Sequence, residues 1–164
     1  MFKIRLLVLA IGFAVAAVGV HIQPPTTAAA SLTEAESVIR WGKTQLGKPF
    51  RLGTSGLRRY DCSGLVWRTF YEKGLAKRIG GNRTSRSYYN WFRERGLVTS
   101  NPRKGDLVVW GRRGKPVSHI GIYLGVNRYG QRMALSALTS GVTVHKVGGI
   151  NLPVRAYLRV RISR

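Results

Sequence analysis

Cys62 is the only cysteine in this chain of 164 residues, so it has no internal partner. Such a thiol is linked to another molecule, buried and inert, or reactive. Its neighbours favour the last. In Asp61-Cys62-Ser63-Gly64-Leu65-Val66, Asp61 reads as the N-cap of a helix opening at Cys62, its carboxylate accepting from free backbone N–H groups. The sulfur then sits in a first turn, where the helix dipole and surrounding arginines are expected to favour thiolate. Ser63 and Gly64 are small, so the helix start can approach another element closely. A thiol also needs a base near neutral pH. Of three histidines, His21 lies in the N-terminal segment, and His145 reads as an exposed strand residue. His119 stands 57 residues after Cys62 in Ser118-His119-Ile120-Gly121-Ile122-Tyr123-Leu124-Gly125. Together Cys62 and His119 make a nucleophile and a base suited to covalent acyl transfer.

Elements must bring the two together. Period two places Ile120, Ile122 and Leu124 on one face of a strand, and His119, Gly121 and Tyr123 on the other. The aliphatic face is expected to enter the core. His119 is then expected to face outward, with the gap beside Gly121 receiving the cysteine helix. Cys62 to about Lys73 carries Leu65, Val66, Thr69 and Phe70 at helical spacing, and Gly74 stops it. Upstream, Glu34 and Glu36 mark a helix start, Val38, Trp41 and Leu46 form its apolar stripe, and Gly47 with Pro49 end it. Residues 50–60 read as a basic, Gly-rich loop, 75–86 as irregular, and Ser87 to Arg95 as a short third helix. Five runs rich in Val, Ile, Leu and Tyr follow: Leu107 to Trp110, Ser118 to Leu124, Arg132 to Leu138, Val142 to Val147 and Val154 to Arg161. Turn residues separate them, including Asn127 and Gly130 at a hairpin, so they predict antiparallel strands. Helices first and strands after make the class α+β.

Three blocks carry a resemblance. Asp61-Cys62-Ser63-Gly64-Leu65-Val66, Gly105-Asp106-Leu107-Val108-Val109 and His119-Ile120-Gly121-Ile122-Tyr123-Leu124-Gly125 resemble, in order and spacing, the signature blocks of the NlpC-type cell-wall cysteine peptidases. Leu46-Gly47-Lys48-Pro49-Phe50 resembles the block preceding that family's cysteine, and the likeness covers about residues 33–160. The resemblance implies a papain-like α+β fold, N-terminal helices packed on a small antiparallel sheet of about five strands. It implies a thiol protease acting as a peptidoglycan hydrolase on stem peptides or cross-bridges. Cys62 is then the nucleophile, its backbone N–H helping to hold the oxyanion, and His119 the base and later acid, with no metal or cofactor required. Ser63 and Phe50 are carried over as oxyanion or substrate-binding residues.

The likeness has gaps. The family usually places a third polar residue, most often His, on the strand after the base. That position here is Ser136, in Ala134-Leu135-Ser136-Ala137, a shorter and uncharged orienter. His145, one strand later, is the other candidate. The family's Pro-Tyr-x-Trp-Gly reads Pro49-Phe50-Arg51-Leu52-Gly53, without the phenol and the indole. A non-catalytic wall-binding module on the same fold is therefore the alternative function. Asp106 reads as a turn-fixing side chain, and Trp41, Trp67, Trp91 and Trp110 as packing residues rather than a glycan groove.

Charge and the N-terminus bound the setting. Lys and Arg number 28 against 6 Asp and Glu, a formal +22 that points to a polyanionic partner or surface. Lys3 and Arg5, the uncharged run Leu6 to Val20, and Ala28 and Ala30 before Ser31 have the layout of a cleaved secretory signal peptide over residues 1–30. The run of fifteen is short for a retained membrane anchor, the alternative. Residues 31–164 then form the peptidase domain with a formal +20, secreted or held at the cell wall. Peptidoglycan and anionic wall polymers are its expected partners; nucleic acid and a stable membrane span are not.

Overall fold

The computed structural model describes residues 31–164, and the expected signal peptide lies outside them. Helix α1 (Glu34–Lys43) opens with a capping box: Thr33 accepts from the Glu36 N–H, and the Glu36 carboxylate accepts from the Thr33 N–H. The chain leaves α1 through turns to Gly47, whose φ of 78° suits glycine. Helix α2 (Cys62–Tyr71) begins at the cysteine. Helix α3 (Ser85–Glu94) starts two residues earlier than the sequence predicts, because Thr84 caps it by accepting from the Ser87 N–H. The segment predicted irregular contains a single 3-10 turn, Ala76–Ile79.

The five predicted strands form as β2 (Leu107–Trp110), β3 (His119–Val126), β4 (Arg132–Leu138), β5 (Gly141–Lys146) and β6 (Val154–Leu158). A sixth was not predicted. It is β1 (Val98–Thr99), whose two residues are too few to show a period and which pairs with the end of β6. The sheet is antiparallel throughout, in the order β1-β6-β2-β3-β4-β5. Among the described residues the fold is α+β, three α-helices on a six-stranded sheet.

One sheet face carries Leu107, Val109, Ile120, Ile122 and Leu158 in a core cluster with Val38, Val66, Phe70, Tyr88 and Phe92 from the helices. The opposite face is covered as well. Val108, Trp110, Tyr123, Ala134 and Tyr157 pack there with Val147, under Ile150 and Leu152 of the segment before β6. This second cover corrects one expectation: His119 does not face outward but is only 8% exposed. The gap beside Gly121 is also filled differently. A side chain there would strike Ser136 Cβ at 2.9 Å and approach the Trp110 ring at 3.4 Å, while α2 packs on the Ile120–Ile122 face.

Asp106 exceeds its expected turn role. Fully buried, its carboxylate accepts from the Arg103 and Val160 N–H groups and pairs with Arg159 and Arg164. One acid thereby ties the entry to β2 to the C-terminal segment. Among the described residues no helix is long and apolar enough to cross a membrane.

Candidate active site

The N-terminus of α2 sits where two short-range devices hold it. Asp61 accepts from the Gly64 N–H at 2.6 Å, from the Ser63 hydroxyl at 2.9 Å and from the Gly53 N–H at 2.8 Å. Its own N–H donates to the Thr54 carbonyl at 2.9 Å, so the loop before the helix is bonded to the cap from both sides. Gly64 permits this. A Cβ there would lie 2.1 Å from the Thr54 oxygen, far inside any tolerable contact.

Cys62 is half-buried and lies with Phe50, Leu52, Ser118 and His119 in the wall of one cavity of about 530 Å³. Residues 137–140 and 149–152 line it as well. Cys62 and His119 line the same cavity, and the backbone N–H of Ile120, the residue after His119, acts on the thiol in favour of its ionised form. Burial pushes the Cys62 thiol up to about 11. The Ile120 N–H works against burial, Asp61 adds to the rise, and the N–H groups of Ser63 and Cys62 favour thiolate weakly. The expected thiolate is therefore not the resting form. A helix terminus contributes about 0.5 kcal/mol, whereas a rise from 9 to about 11 corresponds to about 3 kcal/mol. Desolvation wins. It also lowers the His119 imidazole to about 4, with His145 the second cause, so the resting pair is thiol and neutral imidazole.

Behind His119 runs a line of polar atoms. His119 Nε2 lies 3.0 Å from Ser136 Oγ, and Ser136 Oγ lies 2.8 Å from His145 Nε2. His145 Nδ1 lies 2.8 Å from the Lys146 carbonyl oxygen. Both candidate orienters thus stand in one series. Trp110 packs against both imidazoles, with ring centroids 5.1 Å from His119 and 5.8 Å from His145, and its indole N–H donates to the Val147 carbonyl.

Of the other residues singled out in the sequence, Phe50 lines the cavity beside Cys62 and packs against Tyr60, Leu65 and Val142. Leu52 stands at the mouth, 82% exposed. The Ser63 hydroxyl is committed to Asp61 and lines a neighbouring hollow with Asn82, Arg83 and Thr84. The sequence did not single out Thr139, Ser140 and Asn151 as cavity residues, nor Trp110 as the wall behind His119. Ser and Asn clusters in turns carry no signal of a shared cavity. The Trp110–His119 cross-strand pairing needs a register.

Residues 47–156 match the NlpC/P60 family. A probable endopeptidase p60 from Listeria grayi is 33% identical over 107 residues, 65% of this chain and 19% of the relative. The murein DD-endopeptidase MepS/murein LD-carboxypeptidase of Escherichia coli K12 is 37% identical over 83 residues, 51% of this chain and 41% of the relative. The chain thus corresponds to less than half the length of either. Among solved structures, NlpC2 from Trichomonas vaginalis superposes with a TM-score of 0.63 at 22% identity, covering 79% of this chain and 48% of its own. The NlpC/p60 domain of the peptidoglycan hydrolase SagA superposes at 0.55 with 19% identity, over 77% of this chain and 98% of that one; both likenesses concern the fold. The family match includes Cys62 and His119 and spans more than half of the sequence, so this chain belongs to the NlpC/P60 family.

Proposed function

We propose that the chain is an exported cysteine endopeptidase that hydrolyses peptide bonds in the stem peptides or cross-bridges of bacterial peptidoglycan. The observation that carries this reading is the shared cavity whose wall holds both Cys62 and His119. Names of the relatives from Listeria grayi and Escherichia coli, both endopeptidases, support the substrate class.

His119 takes the thiol proton as the sulfur attacks the peptide carbonyl carbon, with Ser136 holding the ring. The carbonyl oxygen becomes an oxyanion facing the backbone N–H of Cys62 at the helix start, where the dipole favours negative charge. The imidazolium then gives its proton to the leaving amine, and the C–N bond breaks to leave a thioester. Water, deprotonated by His119, attacks that thioester and releases the carboxylate and the thiol. Because both partners rest neutral, the proton transfer belongs to the attack itself. Residues 1–30 serve as the export signal in this reading. The excess of basic residues draws the domain to stem carboxylates and anionic wall polymers.

Purified sacculi test the proposal. Wild-type protein should release peptide fragments, and Cys62→Ala should release none while still sedimenting with the sacculi. Equal release by both would remove Cys62 from the chemistry. Sedimentation without thiol-dependent release by the wild type would replace the peptidase with a wall-binding module.

A further inference from the structure

We infer that His145 is a positioning residue that fixes the tautomer of His119 through Ser136, starting from a single backbone carbonyl. The inference rests on Cys62 and His119 being nucleophile and base, and it concerns how that base is kept ready.

The direction of every hydrogen bond in the line follows from one fixed end. The Lys146 carbonyl can only accept, so His145 Nδ1, 2.8 Å away, carries a proton and donates it. His145 Nε2 then offers its lone pair to the Ser136 hydroxyl at 2.8 Å. With its hydrogen committed, Ser136 Oγ offers only lone pairs to His119 Nε2 at 3.0 Å, so that nitrogen bears the proton and donates. The second nitrogen of His119, Nδ1, is left unprotonated. It is the form required to take a proton from the Cys62 thiol.

Ser136 alone would not impose this order, because a hydroxyl can donate or accept. Left without His145, it could donate to His119 Nε2 and drive the ring proton to Nδ1, which removes the base. Burial makes the arrangement strict. Ser136 is fully buried, so its hydroxyl has no bulk water as a substitute partner. Trp110 packs against both rings and its indole is tied to the Val147 carbonyl, which restrains imidazole rotation. Cross-strand register supplies the spacing. Ser136 pairs with Thr143 and Ala134 with His145, so His145 sits diagonally from Ser136 on the same face of β4 and β5. After attack, the imidazolium still donates Nε2–H to Ser136, so no bond in the line has to reverse.

Nitrogen-15 NMR of histidine-labelled protein at neutral pH reads the tautomer without substrate, and so separately from whether peptidoglycan is cut. The wild type should show His119 protonated at Nε2 and bare at Nδ1. His145→Phe and Ser136→Ala should shift it toward the Nδ1–H form. His145→Gln, which restores an acceptor for the Ser136 hydroxyl, should return it. In turnover, His145→Phe should lower kcat about tenfold with KM unchanged. Ser136→Ala with His145→Phe should fall no further than Ser136→Ala alone, as expected of residues acting in series. An unchanged His119 tautomer in folded His145→Phe, or losses that multiply in the double variant, would overturn the inference.

Discussion

His119 is a histidine held neutral by burial, and that has a thermodynamic consequence apart from catalysis. Its imidazole titrates at about 4 in the folded chain against an ordinary 6.5, chiefly through desolvation. As pH falls below 6.5 the unfolded chain takes up a proton that the folded chain refuses until about 4. Stability is complete above 6.5 and is lost between 6.5 and 4, by about 3 kcal/mol at the lower end. Urea midpoints at neutral pH and near pH 4.5 should therefore drop for the wild type and much less for His119→Gln. Equal drops in both would mean that other groups carry the acid sensitivity. Single residues were legible where their effect is local. The Asp61 cap acts across three residues, and it places Cys62 in the first turn of α2. The resting state of the thiol was not legible, because sequence shows the helix terminus but not the degree of burial that outweighs it.

The seating of α2 depends on the loop that passes under its first turn. Alanine is the better helix former by about 1 kcal/mol, yet at position 64 its Cβ would strike the loop backbone at Thr54 and Ser55. Rotating a side chain cannot relieve that. Gly64→Ala should destabilise the protein by about 1–3 kcal/mol, whereas Gly56→Ala, with nothing within 4 Å, should be close to neutral. Denaturant midpoints of the two variants check this, and a neutral Gly64→Ala would show that the loop yields freely. Element types and order were readable from periodicity, since each long strand has enough residues to display alternation. What alternation hid was the second covering. β3 buries both faces because residues 147–152 fold back over the sheet, and nothing in the Ser118–Gly125 segment announces a cover from elsewhere. The partnership of Ser136 and His145 was hidden for the same reason: it arises from the pairing of β4 with β5.

At the scale of the described domain, the Asp106 carboxylate holds Arg159 and Arg164 from more than fifty residues away. Removing one partner of a buried pair typically costs about 3–5 kcal/mol. Both arginines keep some solvent access, which puts Asp106→Ala at the low end, about 3 kcal/mol. Urea unfolding measures it, and a loss below about 1 kcal/mol would show that the grip is redundant. Sequence could place Asp106 in a turn but could not pair it with two of 28 basic residues. The same C-terminal segment ends beside the beginning of α1. Ser163 donates to the Glu34 carboxylate and accepts, through its hydroxyl and carbonyl oxygens, from the Glu34 and Ala35 N–H groups. The two extremities of the folded unit therefore emerge side by side. A tether attached at Glu34 or at Ser163 would leave the domain from one common patch and hold it in nearly the same attitude.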